Sequence, residues 1–165
     1  MNYKEIIMEM DIIIVYNPAS WLHKLIYKTT KNKAGHVALY VGDGKIYEAN
    51  SSGVHKKNWK KYSGDRIVYL ARCPIITEYQ KLKIWKYCFD NEGTRYSFFQ
   101  LGLIWLQYFF KINKIPDVSK KAMICSEFVA NAFLYADIKL TNKKPHETTP
   151  ADILKSEVTY VEYIG

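Results

Sequence analysis

The sequence predicts an α+β fold in which a small antiparallel sheet or partial barrel packs against helices. Two observations predict it. Short apolar segments punctuated by Gly, Asp and Pro recur at 11–16, 36–41, 45–49 and 66–72 and read as strands. Longer segments with helical apolar spacing separate or follow them, without the strict strand–helix alternation of a parallel sheet.

In chain order, residues 11–16 read as the opening strand and 18–30 as a helix, with Asn17 as its cap and Pro18 in its first turn. Residues 31–35 form a polar loop. Gly35-His36-Val37-Ala38-Leu39-Tyr40-Val41 and Lys45-Ile46-Tyr47-Glu48-Ala49 flank Gly42-Asp43-Gly44 and read as a hairpin. A strand at 66–72 lies between Gly64-Asp65 and Pro74, and a helix over 77–90 ends near Asn91-Glu92-Gly93. The apolar run 98–110 is shorter than the roughly 18 to 20 residues that span a bilayer. It reads as a buried core helix, or alternatively as a membrane-facing wall near a site, since Lys111 and Lys114 follow it. A loop over 113–121 precedes the segment that begins at Cys125 and reads as a buried helix. Thr149-Pro150-Ala151-Asp152 starts a capped short helix, and 158–164 reads as a last strand.

His36 and Cys125 carry the chemistry. A thiol at a helix start meets the positive end of the helix dipole and unpaired backbone N–H groups, both of which favour thiolate. An imidazole at the start of a strand can serve it as base, because nucleophile and base are recognised as a pair. The hairpin register selects the third member. With a three-residue loop of Gly42, Asp43 and Gly44, Val41 pairs with Lys45, His36 lies opposite Asn50, and Glu48 is a diagonal neighbour on the face of His36. A two-residue loop would put Glu48 on the other face. Glycines on both sides of Asp43, with Gly44 free to take positive φ, favour the longer loop. Glu48 is therefore the first choice to orient the imidazole, and Asn50 the second. Tyr40 shares the face by strand alternation and offers a hydroxyl, for packing or for the site. His23, His55 and His146 stand in a helical stretch, a Lys-rich loop and beside Pro145, without a comparable setting.

These pieces resemble the circularly permuted branch of the NlpC/P60 cysteine hydrolases, the papain-like group that includes lecithin:retinol acyltransferase-like enzymes. The resemblance runs from Met10-Asp11-Ile12-Ile13-Ile14-Val15 through His36, the Gly42-Asp43-Gly44 turn and Glu48-Ala49. It resumes at Ile124-Cys125-Ser126-Glu127-Phe128-Val129 and ends near Thr149-Pro150-Ala151-Asp152. The order His then Cys is that of the permuted branch. The resemblance implies one domain over 1–165, a Cys125–His36–Glu48 triad with a polar residue at the place of Glu48, and acyl transfer through a thioester. It allows two substrate classes, a cell-wall peptide or related amide and a lipid or other amphiphile. A basic membrane-surface or partner-binding module that retains the fold is the non-enzymatic alternative.

Composition fits one core: 165 residues, 48% of them hydrophobic, with fourteen tyrosines. A net charge of +8 points to anionic partners, an anionic membrane surface among them, and lysines cluster at 28–33, 56–61 and 143–144. These read first as a solvated face. No nucleic-acid-binding signature accompanies the charge, which argues against that partner. Three cysteines without a Cys-x-x-Cys pair argue against a disulfide framework and against structural zinc, leaving reduced thiols. No metal or organic cofactor is needed. Glu5, Glu9 and Asp11 interrupt what would be the apolar part of a signal peptide, so the expected location is cytoplasmic.

Overall fold

A computed structural model describes residues 7–62, 66–112, 114–117 and 122–164. The expectations that rest on residues 1–6, on Gly64-Asp65, and on 113 and 118–121 of the loop fall outside the described residues.

Eight strands and five helices are seen among the described residues: β1 (Ile12–Tyr16), α1 (Trp21–Thr30), β2 (His36–Tyr40), β3 (Lys45–Asn50), β4 (Gly53–Asn58), β5 (Ile67–Arg72), α2 (Glu78–Asp90), β6 (Arg95–Tyr96), α3 (Phe98–Phe110), β7 (Ala122–Met123), α4 (Cys125–Tyr135), α5 (Pro150–Leu154) and β8 (Tyr160–Tyr163). Six strands form one antiparallel sheet in the order β4-β3-β2-β1-β5-β8, while β6 and β7 make a short parallel pair. The mixed α+β architecture with an antiparallel sheet is as the sequence predicts.

Strand alternation sends β1 side chains to two cores. Ile12 and Ile14 join Val37, Leu39 and Tyr47 under Phe128 and Phe133 of α4 and Ile84 of α2. Ile13 and Val15 join Ala38, Ile46 and Leu70 on the other face, where Tyr62 covers them. The strands β1, β2 and β3 are buried on both sides near their centres, and every fully buried Ile or Leu there contributes about 1.5–3 kcal/mol. These contacts fix α4 against β2 and β3.

The hairpin register has the predicted three-residue loop. Leu39 pairs with Tyr47 and Tyr40 with Ile46, and the Val41 N–H donates to the Lys45 carbonyl at 3.0 Å. Gly42, Asp43 and Gly44 all have positive φ, at 86°, 50° and 67°. Two of the three positions thus carry the residue type that adopts this conformation without a Cβ penalty.

Helix starts follow their caps. Thr77 and Gln80 form a reciprocal capping box on α2, and Thr149 with Asp152 does the same on α5. The start of α1 departs from expectation. Ser20 is its cap, while the Asn17 side chain accepts from the Ala19 N–H at 2.9 Å and shapes the preceding turn. The strand β4 appears where the sequence shows only a Lys-rich loop. Its Lys, His and Asn side chains are poor strand formers, and pairing with β3 along the whole of its length supplies the order. Trp59–Tyr62 then forms a 3₁₀ turn.

The expectation that residues 98–110 form a helix buried all round is corrected. Gln100 and Ile104 are buried, but Phe98, Phe99, Trp105, Leu106, Phe109 and Phe110 are exposed. Among the described residues no helix is long and apolar enough to cross a membrane.

Candidate active site

Cys125 is the first residue of α4, and the loop before α5 holds that helix start in place, because the Ser126 hydroxyl donates to the Thr148 carbonyl at 2.6 Å. The Glu127 carboxylate accepts from the Ile124 N–H at 3.3 Å, an acidic first-turn contact that suits the helix dipole. Here the start of α4 meets the start of β2. The Cys125 sulfur hydrogen-bonds the His36 ring and accepts from the backbone N–H groups of Val37 and Ser126.

His36 is held from behind by Glu48. Its Nε2 lies 3.0 Å from Glu48 Oε2, which leaves Nδ1 as the ring nitrogen for the thiol. Glu48 is a buried carboxylate with 0% exposure. Four donors surround it. Oε2 takes His36 and the Tyr62 hydroxyl, and Oε1 takes the Lys61 ammonium and, at 2.8 Å, Asn50 Nδ2. A carboxylate accepts about four hydrogen bonds, so the ionised form is fully satisfied there.

The electrostatics follow from these contacts. Burial alone would lower the His36 pKa, but the Cys125 thiolate and the Glu48 carboxylate outweigh it and raise it to about 9. Burial pushes the Cys125 thiol up, yet the imidazolium and the two backbone N–H donors bring it below its ordinary value. Glu48 is likewise held below the usual carboxylate range: burial opposes ionisation, and the bonds from His36, Lys61 and Tyr62 prevail. The arrangement is a thiolate–imidazolium pair backed by a buried anion.

Asn50 stands one layer further out, bonded to Glu48 and not to His36. Its Oδ1 accepts from Ser52. Tyr40 is engaged elsewhere, since its hydroxyl accepts from the Gly44 N–H at 3.0 Å and braces the hairpin turn.

A cleft of about 480 Å³ opens beside the pair, lined among others by His36, Glu48, Lys61, Tyr62, Tyr96 and Phe98. Cys125 itself is only 6% exposed. His23 also lines this cleft, although the sequence gives it no special setting. Its Nδ1 accepts from the Asn17 N–H at 2.8 Å, which fixes the neutral tautomer with hydrogen on Nε2. Burial and the nearby His36 and Arg66 charges lower its pKa to about 4. Tyr62 and Lys61 were likewise not legible as site residues. Their one sequence signal is a Lys-Tyr pair ending a basic run, and that pattern also describes solvated surface. Cys88 is buried in α2, where desolvation raises its pKa.

No protein-family model matches the chain. The fold matches the crystal structure of metalloprotein YiiX (DUF1105) from Escherichia coli O157:H7, with a TM-score of 0.68 and 16% identity over 93% of this chain and 96% of that one. The chain is also similar to the probable lipoprotein peptidase YaeF from Escherichia coli strain K12, at 22% identity over 171 residues. That similarity covers 81% of this chain and 61% of YaeF, so the chain spans less than two thirds of that protein. Both likenesses agree with the NlpC/P60 resemblance at the level of the fold, and the name of YaeF agrees with a hydrolase.

Proposed function

We propose that this protein is a cysteine hydrolase of permuted papain-like architecture, with Cys125 as nucleophile, His36 as base and acid, and Glu48 as the residue that orients and charges the imidazole. One observation carries the reading: the His36 ring joins the Cys125 thiol to the buried Glu48 carboxylate, and His36 and Glu48 line a cleft. The peptidase name of YaeF supports the same class.

The Cys125 thiolate attacks the carbonyl carbon of an amide or ester, a C–S bond forms, and the carbonyl electron pair moves onto oxygen. The backbone N–H of Cys125 at the start of α4 offers a donor to that oxyanion. Collapse breaks the C–N or C–O bond, and the His36 imidazolium gives its proton to the leaving group. Neutral His36 then takes a proton from water, or from an acceptor hydroxyl in a transferase, and the attack on the thioester returns the thiolate. Glu48 stays ionised throughout and stabilises the imidazolium. Tyr62 and Lys61 act through Glu48 and are positioning residues.

YiiX is described as a metalloprotein. The groups around Cys125 do not fit a metal ion, because both Glu48 oxygens are taken by protein donors and His23 Nδ1 by a backbone N–H. Among the described residues no three His, Cys, Asp or Glu side chains form a metal-binding group.

The test is turnover of a panel of activated esters and peptides. Cys125→Ala and His36→Ala should each abolish it with the fold retained, and the double variant should be little worse than either, since the members act as a unit. Wild-type turnover by Cys125→Ala would end this reading.

A further inference from the structure

The helix α3 presents to solvent a face that its own fold leaves uncovered. Phe98, Phe99, Trp105, Leu106, Phe109 and Phe110 are all exposed, Phe109 to 64%. At 3.6 residues per turn these six positions fall within an arc of about 140°. The only other α3 residue in that arc is Gly102, so the arc carries no polar side chain at all. Trp105 and Phe109 stack at 5.4 Å, and Phe109 meets Phe110 edge-on at 5.0 Å, making one contiguous aromatic surface. Exposed apolar patches of this kind mark interaction sites.

The rim of the face is basic. Lys111 and Lys114 follow the helix and are exposed. Lys143 Nζ lies 3.3 Å from the Tyr108 hydroxyl on the flank of α3. Exposed Lys24 and Lys28 belong to α1, which packs against α3. The acids near this rim are engaged: Asp152 with Lys143 at 2.9 Å, and Asp117 with His146 at 3.6 Å. An aromatic face inside a lysine rim complements an anionic lipid surface, where rings enter the headgroup boundary and lysines meet phosphates. A second copy of the chain would bring two such rims together on molecules of net charge +8, which repels.

We propose that the α3 face docks onto an anionic phospholipid bilayer. Phe98 belongs both to this face and to the catalytic cleft, and Tyr96, 5.0 Å from it between ring centroids, lines the same cleft. Docking therefore sets the cleft mouth at the headgroup level, and the substrate class that reaches it is an ester or amide of a membrane-resident amphiphile. That last clause rests on the cysteine-hydrolase reading; the docking itself does not.

The experiment is co-sedimentation of the full chain with pure phosphatidylcholine vesicles and with mixed phosphatidylcholine–phosphatidylglycerol vesicles. Binding to the mixed vesicles should exceed binding to the neutral ones and weaken as salt rises to about 0.5 M. Phe109→Ser combined with Phe110→Ser, at positions outside the core, should weaken it about tenfold or more. Lys111→Gln with Lys114→Gln should reduce the preference for phosphatidylglycerol several-fold, and Cys125→Ala should leave binding unchanged. Absence of sedimentation with either vesicle overturns the proposal, as does equal binding by the Phe variant. A dimer in solution that the Phe variant dissolves, without vesicle binding, assigns the face to a second copy and overturns it too. Hydrolysis of a soluble ester is read separately, so failure of docking and failure of catalysis are told apart.

Discussion

Glu48→Gln removes one charge and keeps the shape of the side chain that holds His36. The magnitude follows from the four donors around the carboxylate. A glutamine accepts at one end only, and the better orientation turns its oxygen to His36 and Tyr62 and its NH₂ to Asn50 and Lys61. Lys61, with 37% of its side chain exposed, can swing to water at little cost. The Asn50 amide loses its acceptor, and the remaining bonds lose their charge assistance. Together these cost about 2–4 kcal/mol of stability. The larger effect falls on His36. A neighbouring carboxylate raises a histidine pKa by roughly one to three, so the midpoint should drop below about 9 in the variant, while the Cys125 thiolate, the larger raising cause, still acts on the ring. The assay is an NMR titration of the His36 ring in wild type and Glu48→Gln. A midpoint that stays near 9 in the variant would refute the role assigned to Glu48. Turnover should fall about tenfold to a thousandfold, most strongly at alkaline pH, where the variant has lost its imidazolium.

Limiting iodoacetamide near neutral pH should label Cys125 well before Cys88, whose burial raises its pKa, and His36→Ala should reduce Cys125 labelling about tenfold or more. Equal labelling of both in the folded protein would contradict the site. The raised His36 pKa also predicts a stability profile. Between 6.5 and about 9 the folded ring keeps a proton that the unfolded ring has lost, while the folded Cys125 thiol has given up one that the unfolded thiol still holds, so the pair contributes no slope across that window. Below about pH 6.5 the unfolded state binds one proton more, and the stabilisation is lost as pH falls through the lowered Cys125 pKa. Urea unfolding should show this pair's contribution level from about 6.5 to about 9 and falling below that window, and His36→Ala should remove the fall. Gly35→Ala should destabilise by about 1–3 kcal/mol and disturb the cleft, because a Cβ there would lie 2.4 Å from the His23 ring. An unchanged melting temperature would refute the close approach.

The hairpin and the start of α5 were legible because local chemistry sets them, whereas the cap of α1 was misplaced by three residues. Two glycines around Asp43 chose the loop, and the loop chose the face of Glu48. Thr149 announced its helix by Asp152 three residues on, while the Thr77–Gln80 box appeared only in the structure. The donors to Glu48 were not legible. Tyr62 and Lys61 reach it from a 3₁₀ turn that follows β4, and β4 itself is ordered by pairing rather than by its Lys, His and Asn side chains. The approach of Asn17 to His23 likewise depends on how the β1–α1 turn folds back. The exposure of α3 was hidden for another reason: its apolar residues surround the helix almost completely, so periodicity could not tell a buried side from an uncovered one.

The central claim is that Cys125 forms a covalent acyl intermediate. Intact-mass spectrometry after brief exposure to activated esters, followed by peptide mapping, tests it most directly. The expected result is a single acyl adduct on the peptide that contains Cys125, absent in Cys125→Ala and longer-lived when His36 is replaced after acylation is forced with a reactive ester. An adduct that forms equally on Cys73 or Cys88, or that persists in Cys125→Ala, would contradict the account.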